Sequence, residues 1–158
     1  KLKVGAENSG KLVSQVKERA EKIGEEEEKK YVLIDGSPGI GCPVIASTNG
    51  VDGVLIVTEP TKSGLADLKR VLEVIRHFSI PAMVVINKYD LNQELTTLIE
   101  EYCKKEKVPM VGKIPFASIM VEAMRQGELI VNYQEDSKPG LAIKEIWNNV
   151  KKHFKEEE

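Results

Sequence analysis

The sequence predicts an α/β fold, a mostly parallel sheet flanked by helices on both faces, and three observations carry that prediction. Three short apolar runs, YVLID (31–35), GVLIVT (53–58) and AMVVIN (82–87), are rich in β-branched residues and continuous rather than alternating. That is the pattern of strands covered on both faces. Segments of helical periodicity separate the runs. The alternation itself implies βαβ units with right-handed crossovers and a parallel sheet. Strand 31–35 is expected near the sheet's centre, with Asp35, Glu59 and Asn87 lining one edge, where ligands of such sheets gather.

The elements follow in order. Asn8 or Ser9 can cap a first helix that carries Leu12, Val16, Ala20 and Ile23 and that Gly24 would end. The acidic run after it, EEEEKK (25–30), reads as a solvated helix end and turn. After strand 53–58, Thr61 or Ser63 can cap a helix over 62–78 with Leu65, Leu68, Leu72 and Ile75 on one face. After strand 82–87 comes a helix over 91–106, whose stripe is Leu91, Leu95, Leu98 and Tyr102. A short strand near 108–112, a helix around 117–126 and a last helix over about 140–155 complete the chain. Leu141, Ile146, Val150 and Phe154 share one side of that last helix.

At 158 residues the chain is expected to form a single domain, 1–158. A net charge of −2 gives no electrostatic reason to expect nucleic acid. No apolar run approaches the roughly 20 residues of a membrane span. Cys42 and Cys103 lie far apart and make neither a disulfide framework nor a metal site. A reducing cytoplasm is therefore the expected location.

Chemistry concentrates where the runs end. The first ends in IDGSPGIGCP: Asp35 closes the run, and Gly36, Pro38 and Gly39 follow. A carboxylate at that position can orient Mg²⁺ or its water shell beside a triphosphate, as in a Walker-B arrangement, and the glycines let backbone approach phosphate. The third run ends in VVINKYD. In an N-K-x-D motif the Asn87 amide contacts a purine edge, the Lys stem covers the ring, and Asp90 accepts from a guanine amino group. The stretch VGKIPF (111–116) brings a further turn, Pro115–Phe116, suited to packing against a base.

Together these strings resemble the MinD/ParA/Mrp ATPases of the SIMIBI branch of P-loop NTPases, most closely the MinD-superfamily proteins with an inserted ferredoxin domain. The resemblance runs from ENSGKLV through YVLIDGSPGIGCPVIAS, VLIVTEPTKSGLADLKR and VVINKYDLN to IPFASIMVEAMRQGE. It implies a three-layer P-loop NTPase-like fold, ATP and Mg²⁺ as cofactors, and ATP hydrolysis. In that family Asp35 would be the catalytic and metal-positioning residue, and Gly36, Pro38, Gly39, Asn87, Asp90, Pro115 and Phe116 the nucleotide-binding set. A nucleotide-gated homodimer and an iron–sulfur cluster in the ferredoxin insert are also implied.

The resemblance further suggests a carboxy-terminal portion. The opening GAENSGK (5–11) has the G-x-x-x-x-G-K spacing of a phosphate loop, yet Leu12 follows where a Mg²⁺-binding Ser or Thr is needed. It reads as a turn and helix cap. The chain is thus expected to lack the phosphate loop and to be inactive alone. N-K-x-D argues for GTP and the longer strings for ATP, which is preferred. A non-catalytic interaction module and an iron–sulfur carrier are the readings from other classes.

Overall fold

Helical and strand spacings in this chain pair off along its length as α1 (Asn8–Glu26), α2 (Cys42–Thr48), β1 (Val54–Thr58), α3 (Lys62–His77), β2 (Ala82–Asn87), α4 (Gln93–Lys105), β3 (Met110–Ile114), α5 (Ser118–Gln126), α6 (Ile130–Tyr133) and α7 (Lys138–Lys155). A 3-10 helix, Tyr89–Leu91, joins β2 to α4. The computed structural model describes residues 8–37, 39 and 41–155. The chain divides into two compact units, Lys1–Val54 with Arg70–Pro81 and Leu55–Lys69 with Ala82–Glu158.

The sheet has the order β1-β2-β3. β2 and β3 run parallel, with Asn87 opposite Ile114, so their carboxyl ends are level. Met83, Val84, Val85 and Ile86 are all buried, because β2 is the central strand and covered on both faces. β1 departs from that expectation: Ile56 and Thr58 are buried while Leu55 and Val57 are exposed. α7 lies on β3, and Met83, Val85, Val111, Ile146 and Val150 form one core with Ile114 and Phe154 packed against it. Asn149 Nδ2 donates to Val111 O at 2.9 Å. A Cβ on Gly112 would penetrate Ile146 Cγ1 and lie 3.2 Å from its Cδ1. Only glycine lets α7 approach β3 this closely.

The expected strand 31–35 does not form. Residues 31–37 belong to no ladder among the described residues, and Leu33 is 89% exposed. An apolar, β-branched run becomes a strand only where a neighbour satisfies its backbone donors and acceptors. Consequently β2, rather than 31–35, is the central strand, and Asp35 does not close a strand at the sheet edge.

Two helical stripes are shifted in phase. Leu91 ends the 3-10 helix and is exposed, as is Leu98 in α4, where Thr96, Ile99 and Cys103 are buried instead. Thr96 turns inward because its hydroxyl donates to Tyr89 O at 2.6 Å. In α1, Leu12, Val16 and Ile23 are exposed, while Lys17 and Gly24 are buried. Lys17 is tolerated there because its ammonium donates to Asn49 O at the end of α2 and lies 3.7 Å from Glu21 Oε1. α1 also continues past Gly24 to Glu26.

α4 ends without a glycine. Lys107 adopts φ 55°, and Val108 N donates back to Cys103 O at 2.9 Å in the manner of a Schellman cap. A left-handed conformation costs a Cβ-bearing residue about 1–2 kcal/mol, partly offset by the greater unfolded-state freedom of glycine. Lys107 is exposed, so Lys107→Gly should raise stability by about 0.5–1 kcal/mol in urea unfolding. An unchanged or lowered midpoint would show that the lysine side chain contributes something the cap geometry does not reveal.

Candidate functional site

The level ends of β2 and β3 place two loops side by side. After Asn87, which is half-buried, Lys88 takes the left-handed conformation (φ 54°, ψ 39°) and turns the chain into the 3-10 helix. Asp90 lies in that helix and is exposed. After Ile114, the chain leaves β3 through Pro115, half-buried, and Phe116, 52% exposed. Phe116 N donates to Asp90 Oδ1 at 2.7 Å. The structure therefore brings Asn87, Asp90, Pro115 and Phe116 together at one end of the sheet.

This loop pair is held from several sides. Lys88 Nζ lies 2.8 Å from Glu59 Oε1, tying the end of β2 to the residue after β1. Tyr89 O accepts from Thr96, and Asn92 Oδ1 caps α4 by accepting from Leu95 N at 3.0 Å. Lys113 pairs with Glu100 at 2.7 Å and stands 5.0 Å from the centroid of the Tyr89 ring. No local sequence signal marks the Glu59–Lys88, Thr96–Tyr89 or Asp90–Phe116 contacts. The Glu59–Lys88 and Asp90–Phe116 contacts depend on how the strands pair, and the Thr96–Tyr89 bond on how the 3-10 helix turns into α4.

At the end of β1, Gly64 N donates to Thr61 Oγ1 at 2.9 Å, so Thr61 caps α3. A Cβ on Gly64 would collide with Glu59 O, so the start of α3 is packed directly against the end of β1.

Asp35, Gly36 and Gly39 belong to the other compact unit. Asp35 and Gly36 are exposed in the extended segment 31–37, and Gly39 is exposed with φ 95°, a conformation open to glycine. A Cβ on Gly36 would lie 3.6 Å from Ser47 Oγ, an ordinary contact, so space alone does not demand glycine there. Pro38 lies outside the described residues. In the opening GAENSGK, residues 5–7 also lie outside them, and Asn8–Lys11 form the start of α1. A single exposed carboxylate suits Mg²⁺, which takes one or two protein oxygens and completes its shell with water and phosphate. Asp35 fits that chemistry. Among the described residues no group of three or more His, Cys, Asp or Glu is placed to hold a metal. Burial pushes the Cys103 thiol up, with Glu100 adding to the effect, so this cysteine serves as a small apolar core residue. No described helix is long and apolar enough to cross a membrane.

Comparison with known proteins places the chain. The family described as "ParA: NUBPL iron-transfer P-loop NTPase" matches residues 12–151. A Methanocaldococcus jannaschii protein, MJ0578, is 38% identical over 91 residues, covering 58% of this chain and 32% of that protein. The MinD cell division protein of Aquifex aeolicus superposes with a TM-score of 0.73 at 22% identity, over 87% of this chain and 60% of that one. The septum site-determining protein MinD of Pyrococcus horikoshii, solved with Mg-ADP, gives a TM-score of 0.67 at 21% identity, over 84% and 55%. These likenesses show the three-layer P-loop NTPase-like fold, with a mostly parallel sheet between helices.

The family match and the structural likeness run over nearly the whole chain. They overturn the expectation of a mere carboxy-terminal portion that lacks the phosphate loop and is inactive for that reason. The chain spans between 32% and 52% of the length of the curated relatives compared. Over residues 12–151, this chain belongs to the ParA family of P-loop NTPases, described as NUBPL iron-transfer P-loop NTPase.

Proposed function

We propose that the chain is the nucleotide-binding domain of a MinD/ParA-type ATPase and that its ligand is ATP with Mg²⁺. The observation that carries this reading is the joining of the N-K-Y-D loop to the Pro115–Phe116 turn by the Asp90–Phe116 hydrogen bond. Two segments suited to a purine, far apart in sequence, leave the sheet at the same level. Asn87 would hydrogen-bond the base edge, and Pro115 and Phe116 would cover its face, with Asp90 holding the two loops in place. Within the other unit, Asp35 would hold Mg²⁺, with Gly36, Pro38 and Gly39 giving backbone access to phosphate oxygens, as the family resemblance implies. The bound metal would neutralise charge on the triphosphate.

Hydrolysis of the bound triphosphate and a nucleotide-dependent homodimer belong to the same proposal, by analogy with related ATPases. Iron–sulfur cargo is the second reading, supported by the words iron-transfer in the family's description. Anaerobic reconstitution with iron and sulfide tests it through the iron-to-protein ratio.

The test of the leading reading is calorimetric titration of the chain with Mg-ATP and with Mg-GTP. ATP should bind more tightly than GTP. Preference for GTP would return the decision to the N-K-x-D chemistry, and binding of neither would overturn the nucleotide reading.

A further inference from the structure

We infer that Asp90 is a positioning residue that clamps the two base-side loops together, and not a reader of the base. The inference deepens the nucleotide reading and rests on it. The Asp90 carboxylate accepts the Phe116 backbone N–H at 2.7 Å, the short length of a charge-assisted bond. A reader of guanine would aim the carboxylate's acceptor sites, about four on its two oxygens, at the ring N–H and the exocyclic amino group. Here Oδ1 faces the backbone of the neighbouring loop. Phe116, whose ring is half exposed, is the residue that this bond fixes.

The surroundings support the same role. Lys88 is held in the left-handed region, a conformation costly for a Cβ-bearing residue. It persists between the Glu59 ion pair on one side and the Tyr89–Thr96 bond on the other. The loop carrying Asp90 is thus anchored to β1 and α4, and Asp90 passes that rigidity to the 115–116 turn. A clamp of this kind is indifferent to which purine enters. Discrimination between adenine and guanine then falls to Asn87 and the loop backbone.

Two measurements test this on the full chain. Amide exchange at Phe116, read by NMR without nucleotide, should be slowed at least about tenfold in the unmodified chain, the factor expected for one hydrogen bond to a charged group. Asp90→Ala should abolish that protection, and Asp90→Asn, whose Oδ1 still accepts, should keep most of it. A Phe116 amide that exchanges freely in the unmodified chain overturns the clamp whether or not nucleotide binds. The second measurement is binding of Mg-ATP, Mg-GTP and Mg-XTP to the same three proteins. Asp90→Ala should weaken ATP and GTP by the same factor, about tenfold, and Asp90→Asn should restore both. Loss confined to GTP, or gain of XTP binding in Asp90→Asn, would make Asp90 a base reader. If no nucleotide binds, the nucleotide reading fails, while Phe116 exchange still decides the clamp.

Discussion

Gly112→Ala should lower the stability of the chain by about 1–3 kcal/mol, the usual cost of forcing a methyl into a packed interface. The added Cβ would occupy the space held by Ile146 Cγ1, near the start of that side chain rather than at a flexible tip. Relief therefore requires α7 to move away from β3, and the core of Met83, Val85, Val111, Ile146 and Val150 moves with it. Melting temperature should fall by roughly 2–12 °C at this chain length. Ile146→Ala alone should cost about 2–5 kcal/mol through the cavity it leaves. The informative variant is the double substitution. If the two side chains compete for one space, the double variant should be less destabilised than the sum of the singles by at least about 1 kcal/mol. Strict additivity in urea unfolding would mean that α7 does not pack on Gly112 as described. The effect should also reach the loops, because β3 leads directly into Pro115 and Phe116.

Asp35→Asn should lower Mg-ATP turnover at least about tenfold, equivalent to roughly 1.4 kcal/mol in the barrier. Asparagine keeps the shape and the hydrogen-bonding capacity of the side chain but removes its charge. If the carboxylate holds Mg²⁺ and its waters, that charge is what the site loses. Asp35 is exposed in an extended segment, so the fold should be unaffected, with melting within about 2 °C of the unmodified protein. Aspartate and asparagine serve turns almost equally well, so turnover within about twofold of the unmodified protein would reduce Asp35 to a turn former. Measuring turnover and melting on one preparation separates loss of chemistry from loss of fold.

The sequence by itself determined the features that rest on local periodicity and composition. AMVVIN became β2 at its expected bounds, and of the α3 stripe Leu68, Leu72 and Ile75 are buried and Leu65 is half-buried. N-K-Y-D follows a buried strand, as the motif requires. Phase and partnership were decided by tertiary structure alone. Leu98 and Ile99 are equally good apolar candidates for the buried face of α4; the face is chosen by Thr96, whose hydroxyl finds Tyr89 O. YVLID has strand composition but no ladder among the described residues, because a strand exists only with a neighbour. Asp90 reads in sequence as a base contact, and its bond to Phe116 spans 26 residues. That bond arises from the parallel register setting Asn87 beside Ile114, which brings the two loops out together. Periodicity is a property of neighbouring residues, whereas register belongs to the pairing of distant segments and is expressed only when they pack.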